Sequence, residues 1–393
     1  MDQENINYCR KLRIYPNKKH KEIFEQCFGS SRFLYNKCID TTKNDKSLLN
    51  FIKLRNRIFT KFDDKDEEYK WLATVPYDTR QLIIRKYIDN MKSSFSNLKN
   101  NNINHFSMNY LSKKSNNQYF FVDKRTLSKD LYLFKRKTKN KLKMRNKVKK
   151  WWNKNINKID HNCTIVKQKN KYYLCLSLDK KIKNIEPKES YVSLDPGVRT
   201  FQTFYGEKTY GEIGKNTDKE MKKIKDISNK IETLQSIATI KSTMVRKRIM
   251  AKCSGLRTKI QNKINDLHWQ TASYLVKNFA TIIIPKFESS KMVSRKTRNI
   301  NGKTSNNMNI LSHYRFRERL EYLVTTVKDR RIIVCGEEYT TKTCGKCGSI
   351  NDSIKSKKTF KCSKCNLVID RDINGARNIL IKYLGDQLMI YEK

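Results

Sequence analysis

Residues 344–380, CGKCGSINDSIKSKKTFKCSKCNLVIDRDINGARNIL, carry the densest chemistry in this 393-residue chain. Cys344 and Cys347 form one C-x-x-C pair and Cys362 and Cys365 a second. One such turn brings two thiolates to the same side of an ion. Two turns complete a tetrahedron at about 2.3 Å Zn–S distances. Gly345 and Gly348 relax the first turn, and no histidine stands near enough to replace a ligand. The spacing predicts a closed, structural zinc site of four thiolates. Asp372 follows seven residues after the last cysteine. Two distant carboxylates share its setting. Asp195 ends the run YVSLD ahead of Pro196-Gly197, and Glu288 ends ATIIIPKFE. Three acids at strand ends and a helix start can converge on one sheet edge. There they could hold two divalent cations about 3.5–4 Å apart for phosphodiester hydrolysis. Hard oxygen ligands favour Mg²⁺ or Mn²⁺ in that role. Singly, each acid has an ordinary alternative: a turn, a solvated strand end, or a helix N-cap.

The elements that must position these groups are legible in the hydrophobic period. YCRKLRIY (8–15) alternates like a strand, and 18–40 has helical spacing, as do 47–60 and 78–99. In the last of these, Leu82, Ile83, Tyr87, Met91, Phe95 and Leu98 predict one apolar stripe. From Asn116 the period becomes strand-like. NQYFFVDK, DLYLFKR, KLKMRN, CTIVKQ and KYYLCLSLD predict a small β-barrel or sheet between about 105 and 188. Further on, 191–197 and 199–206 predict two strands, 216–238 and 243–279 an antiparallel helical pair, and 280–288 a buried strand. HYRFRERLEYLVTTVKDR predicts a helix, and RIIVCGEE (331–338) a last strand before the cysteines. This is an α/β layout.

The net charge is +47, from 85 Lys and Arg against 38 Asp and Glu. A fold carrying that self-repulsion calls for a polyanionic partner, and nucleic acid is the ready candidate. Residues 135–150 hold ten Lys or Arg and no acid, followed by Trp151 and Trp152. Basic side chains beside aromatics suit a groove that tracks a phosphate backbone and stacks bases; the alternative is a solvated charge run beside two core tryptophans. The 11 cysteines are odd in number, and outside the two pairs they are irregularly spaced, unlike a disulfide framework. The N-terminus lacks the apolar core of a signal peptide, and no stretch reaches the length of a membrane span. An intracellular, reducing compartment follows: the nucleus or a site of DNA replication for a eukaryotic or viral protein, otherwise the cytoplasm.

The segments SLDPG, DLHWQTASYLVKNFATIIIPKFE, LSHYRFRERLEYL, EEYTTKTCGKCG and DRDINGARNIL, in this order, resemble the TnpB family of transposon-associated proteins. NGARNI with EEYTTKTC is most similar to its eukaryotic and large-virus branch, Fanzor, and KLRIYPNKKHKEIFEQCFGSSRFLYNKCI resembles the family's opening. The resemblance implies a split RNase H-like (RuvC-like) nuclease core with an inserted helical pair and a zinc ribbon. It also implies a preceding wedge-type β-barrel with a helical insertion. On this chain it divides residues into a first wedge strand (1–17), a helical recognition region (18–104), a basic wedge domain (105–188), a nuclease core (189–338, helices at 216–279), a zinc ribbon (339–368) and a last nuclease segment (369–393). It implies RNA-guided cleavage of double-stranded DNA beside a short adjacent motif. The partners would be a guide RNA and DNA, with one protein per RNA and no membrane. Asp195, Glu288 and Asp372 match the family's catalytic acids and magnesium ligands, with Asp370 as a helper. Cys344, Cys347, Cys362 and Cys365 match its zinc ligands. A strand-transferring transposase and a non-catalytic DNA-binding regulator remain the alternatives, because a fold alone does not fix the reaction.

Overall fold

In the computed structural model the chain is described apart from residues 1–4, 64, 135–137, 139, 295–299, 337, 353–357 and 392–393. Part of the expected basic run (135–137 and 139), of the ribbon (353–357), and the ends of the first and last expected segments lie outside the described residues. Residues 5–180 form one compact unit and residues from 181 onward another.

The first unit pairs a four-stranded sheet with helices. Its strands are β1 (Asn5–Ile14), β2 (Asn117–Val122), β3 (Cys163–Gln168) and β4 (Lys171–Lys181), in the order β1-β4-β3-β2. The sheet therefore takes a strand from the chain start; residues 105–188 do not complete it alone. Helix α1 (Lys18–Asn44) is capped by Asn17, whose side chain accepts from the His20 amide. It serves two cores in turn. Phe24, Cys27 and Phe28 pack on the sheet with Phe120 and Leu174. Leu34, Cys38 and Ile39 pack on α2 (Phe51–Lys61) and α3 (Tyr77–Lys99). The stripe on α3 is buried at Ile83 and Tyr87 and then runs out: Phe95 is 47% exposed and Leu98 37%.

Two expected strands, DLYLFKR and KLKMRN, do not form. Leu131 and Phe134 adopt left-handed backbone (φ 54 and 58), which an extended strand excludes. Leu131, Leu133 and Leu142 are still buried, so the alternating apolar pattern reports burial of a looped segment. Among the described residues of these two segments, Lys143 alone makes a bridge, to Tyr15. The tryptophans open onto different surroundings within α4 (Asn146–Asn155). Trp152 is buried and donates its indole N–H to Lys129 O at 3.0 Å. Trp151 lies under the Arg10 guanidinium, 4.0 Å from the ring centroid.

The second unit is built on a five-stranded mixed sheet of order β7-β6-β5-β8-β9. The strands are β5 (Glu189–Pro196), β6 (Thr200–Gly206), β7 (Tyr210–Lys215), β8 (Phe279–Pro285) and β9 (Arg331–Cys335). Strands β5, β6 and β7 run as an antiparallel meander; β8 and β9 lie parallel to β5. A parallel neighbour requires a crossover. The expected helical pair supplies it, as α5 (Lys219–Thr239) and α6 (Thr243–Asn278). Helices α7 (Ser289–Val293), α8 (Gly302–Leu311) and α9 (His313–Val324) cross from β8 to β9. Strand β8 is apolar on both sides because both sides are covered. Ile282 and Ile284 join the core under α5, α6 and α9, and Ile283 joins Ile379, Leu380 and Tyr383 of α10 (Arg371–Tyr391). Between β9 and α10, β10 (Thr359–Lys361) and β11 (Val368–Asp370) make a short antiparallel hairpin. No helix among the described residues is long and apolar enough to cross a membrane.

At the centre of this unit Phe201 is stacked between two imidazoles, His268 at 5.0 Å and His313 at 5.2 Å. Arg319 Nη1 lies 3.0 Å from His268 Nδ1, and His268 Nε2 lies 2.8 Å from Leu311 O. An arginine can only donate, so Nδ1 accepts and the ring is neutral. Burial pushes both histidines down to about 4. The unfolded chain, titrating near the usual 6.5, binds protons that the fold refuses. Stability should therefore be full above pH 6.5 and fall as pH drops toward 4, by at most about 1.4 kcal/mol per pH unit per histidine. Thermal unfolding of the full chain across that window checks this. His313→Gln should unfold at a lower temperature at neutral pH and show a shallower acid slope.

Candidate metal centre and acidic cleft

The four cysteine sulfurs all lie within 4.8 Å of one another. Two tight turns deliver them. Gly348 N donates to Cys344 O (2.9 Å), and Asn366 N to Cys362 O (3.1 Å). Gly348 sits at φ +74, where its lack of a Cβ is needed. The β10–β11 hairpin holds the second turn in register with Lys361 opposite Val368. Phe360, fully buried, fills the space under the cluster beside Cys344 and Cys362. The Ser349 hydroxyl, followed by backbone amides of Cys365 and Lys364, holds the Cys362 thiol at about 6. Four soft thiolate donors closing on one point fit a zinc ion and leave no place for a substrate.

Helix α10 joins this ribbon to the sheet. Asp370 is its N-cap: its carboxylate accepts from Asp372 N (2.9 Å) and Ile373 N (3.3 Å). Asp372 is thus released from capping. Its carboxylate lies 3.3 Å from Arg371 Nη2 and is only 21% exposed. One turn on, Gly375 touches the first acid: a Cβ there would lie 2.6 Å from Asp195 Oδ2. In the next peptide unit, Ala376 O accepts from the Ser193 hydroxyl at 2.6 Å. Asp372 and Gly375 share a helix face, so α10 sets Asp372 on the side that meets the end of β5. Asp195 itself stands opposite Thr203 in the β5–β6 ladder.

Glu288 follows the end of β8, the parallel neighbour of β5. Its carboxylate is ion-paired to Lys291 at 2.5 Å and to Lys286 at 3.8 Å. Lys291 first, then Lys286, hold it below the usual carboxylate range. A cavity of about 320 Å³ connects the two strand ends, with Pro196, Gln202, Phe287, Glu288 and His313 in its wall. Among the described residues the four cysteines are the group of potential ligands drawn within 4.8 Å; Asp195, Glu288 and Asp372 do not form such a group. The fold brings the first and third acids to one helix–strand contact and places Glu288 at the adjoining strand end, turned to its lysines.

Sequence reasoning missed two residues here, Asn374 and Asn378. Asn374 Nδ2 donates to Thr343 O (2.8 Å) and its Oδ1 accepts from Gly345 N (3.0 Å). Asn378 Nδ2 donates to Thr340 O (2.8 Å) and Thr343 O (2.6 Å). Both are at least 94% buried, at 0% and 6% exposure. They clamp the first cysteine turn to the helix that carries Asp372. A Cβ on Gly345 would come within 3.0–3.1 Å of Asn374, Arg377 and Asn378 side-chain atoms, so the turn must be bare at that point. The available signal was a pair of asparagines one helical turn apart, flanked by the apolar Ile373, Ala376, Ile379 and Leu380, a costly placement unless their amides bond elsewhere.

Residues 313–379 match the family model described as Cas12f1-like, TNB domain, and residues 6–45 one described as Helix-turn-helix domain. The latter stretch is strand β1 followed by the single 27-residue helix α1, without an intervening turn between two helices. A candidate transposase of Paramecium bursaria Chlorella virus 1 is 30% identical over 96% of this chain and 87% of its own length. A TnpB-like protein of Acanthamoeba polyphaga mimivirus is 26% identical over 94% and 72%. Among solved structures, the protein of a Cas12f1-sgRNA-target DNA complex has the same fold, with a TM-score of 0.50 at 15% identity over 95% of this chain and 98% of that one.

Removing both asparagine amides, as Asn374→Ala with Asn378→Ala, takes away the side-chain hydrogen bonds to Thr340 O, Thr343 O and Gly345 N. Each should cost about 1–3 kcal/mol. The expected result is a lower unfolding temperature and faster zinc release to a chromogenic chelator. An unchanged release rate would show that the clamp does not hold the ribbon.

Proposed function

This chain belongs to the TnpB-like family of transposon-associated proteins, and from that premise we propose that it is an RNA-guided DNA endonuclease that cuts beside a short adjacent motif. The observation that carries the nuclease reading is the contact of Gly375 with Asp195, on the same helix face as Asp372 and beside the cavity that Glu288 lines. The mixed sheet, with Asp195 at the end of its central strand, supports a RuvC-like core. The six segments expected from the sequence are retained as the working division of the chain, with the four-stranded sheet of the first unit in the place of the wedge barrel.

Asp195, Glu288 and Asp372 are the proposed ligands for Mg²⁺ or Mn²⁺. When bound, such ions supply water activation and stabilise the leaving oxygen of a phosphodiester. The chain's own groups do the remainder. Glu288, now ion-paired to Lys286 and Lys291, would be the holder of the ion at the β8 end. The Lys286 and Lys291 ammonium groups beside it would neutralise phosphate charge. Gly375 permits the close approach that sets Asp372 toward Asp195. The cysteine ribbon, closed around zinc, has no catalytic ligand; it fixes α10 through Asn374 and Asn378. A guide RNA reads sequence by pairing, while the protein holds backbone shape through basic side chains, one protein to one RNA. The site of action would be where the host replicates or stores its DNA.

Asp195→Ala, Glu288→Ala and Asp372→Asn should each lower the rate of guided cleavage by about 10²–10³-fold or more, with RNA and DNA binding retained in gel-shift assays. Full cutting by any of these would remove that acid from the site. Strand joining without RNA would instead favour a transposase. Cys365→Ala should lose zinc and, with it, cleavage; a zinc-free variant cutting at the normal rate would refute the coupling.

A further inference from the structure

Seven cysteines lie outside the ribbon, and five of them are accounted for by the packing. Cys27, Cys38, Cys163 and Cys253 are buried, and Cys335 donates to Ile284 O at 3.6 Å. Burial pushes Cys163 up to about 12, so it is chemically quiet. Cys9 and Cys175 differ. Both stand on the outward face of the first unit's sheet: Cys9 is exposed, and Cys175 alternates with the buried Leu174 and Leu176. Their strands, β1 and β4, are neighbours. Lys11 lies 4.1 Å from the Tyr173 ring centroid. Lys11 meets Tyr173 and Cys9 meets Cys175, so the contacts advance along β1 as they step back along β4. The two thiols are close enough for each to shift the other's hold on its proton, and the Lys11 ammonium acts on both.

We propose that Cys9 and Cys175 are an oxidisable pair that exchanges with small-molecule disulfides to form a reversible cross-strand disulfide. The two sulfurs have distinct roles. The hydrogen bond from Cys175, helped by Lys11, lowers the Cys9 thiol to about 6, while Cys175 is raised and keeps its proton. Cys9 is thus the exposed thiolate, the reactive form. It attacks one sulfur of the small disulfide, forming a mixed disulfide and expelling one thiolate. Cys175 then gives up its proton to solvent and attacks Cys9 sulfur, expelling the second thiolate. Counted from two thiols, the protein loses two protons and two electrons; the small disulfide gains them as two thiols. Opposed residues of an antiparallel pair have Cβ atoms about 4.5–5.5 Å apart, against about 3.5–4.5 Å across a disulfide. The strands must draw together slightly. Such strain makes a disulfide easier to reduce, and the pair reversible.

The test uses the zinc-loaded full chain, in which the ribbon thiols are occupied, incubated with oxidised glutathione and mapped by peptide mass spectrometry after alkylation. The wild type should yield a Cys9–Cys175 linked peptide that dithiothreitol removes. Cys175→Ser should stop at a glutathione adduct on Cys9, formed about tenfold faster than any adduct on Cys335. Cys9→Ser should form neither product. The proposal is overturned if both cysteines of the wild type stay alkylatable, or if Cys175→Ser takes glutathione on Cys9 no faster than on Cys335. Neither outcome bears on nuclease activity.

Discussion

The seating of α10 on the central strand of the five-stranded sheet is the constraint on which the second unit depends. One helix serves two neighbours at once. Toward the sheet it presents Gly375 against the Asp195 carboxylate, Ala376 O to the Ser193 hydroxyl, and Ile379 in the core. Toward the cysteine ribbon it presents Asn374 and Asn378. A side chain at position 375 would drive the helix off the strand or the carboxylate out of place, since backbone cannot yield by half an ångström or more without shifting everything packed on it. The first acid, the third acid and the metal ribbon therefore share one rigid part. A cluster of four cysteines that leaves no place for a substrate can in this way still fix where two of the proposed catalytic acids stand.

The electrostatic background has the opposite sign to the site. At +47 the chain surrounds its few acids with ammonium and guanidinium groups. Glu288 is the visible case, ion-paired to Lys286 and Lys291 at the rim of the cavity. The same excess suits a partner whose charge is one phosphate per nucleotide, and release of counterions from such a partner makes binding steeply salt-dependent. In the first unit, aromatic rings under cations, Tyr173 beneath Lys11 and Trp151 beneath Arg10, add faces on which bases could stack.

Much of this was legible in the sequence, and the reasons differ by residue. The cysteines were legible because their ligand geometry is local: each turn needs four residues. The strand β8 was legible because a segment covered on both faces is apolar throughout. The choice of Asp372 over Asp370 rested on the family pattern; in the structure Asp370 is the residue that accepts the capping hydrogen bonds. Strand β7 went unseen: YGEIGK carries two glycines, which mask β propensity, and it is held by its ladder to β6. DLYLFKR and KLKMRN misled because alternation also arises in a loop whose left-handed turns bury Leu131 and Leu133 and leave Tyr132 between them less covered. Trp151 and Trp152 look alike in sequence, yet helical rotation sends one inward and one outward. The asparagine pair could be noticed, but not what it clamps, because its partners are backbone atoms some thirty residues away in the chain.

The most direct test of the account is to purify the chain with its bound RNA, sequence that RNA, and assay the matching duplex DNA for Mg²⁺-dependent cleavage. The account predicts one discrete RNA species with a variable end, and cutting of DNA that matches this end and no other. A protein carrying no discrete RNA, or cutting and joining DNA regardless of what RNA is present, would contradict it.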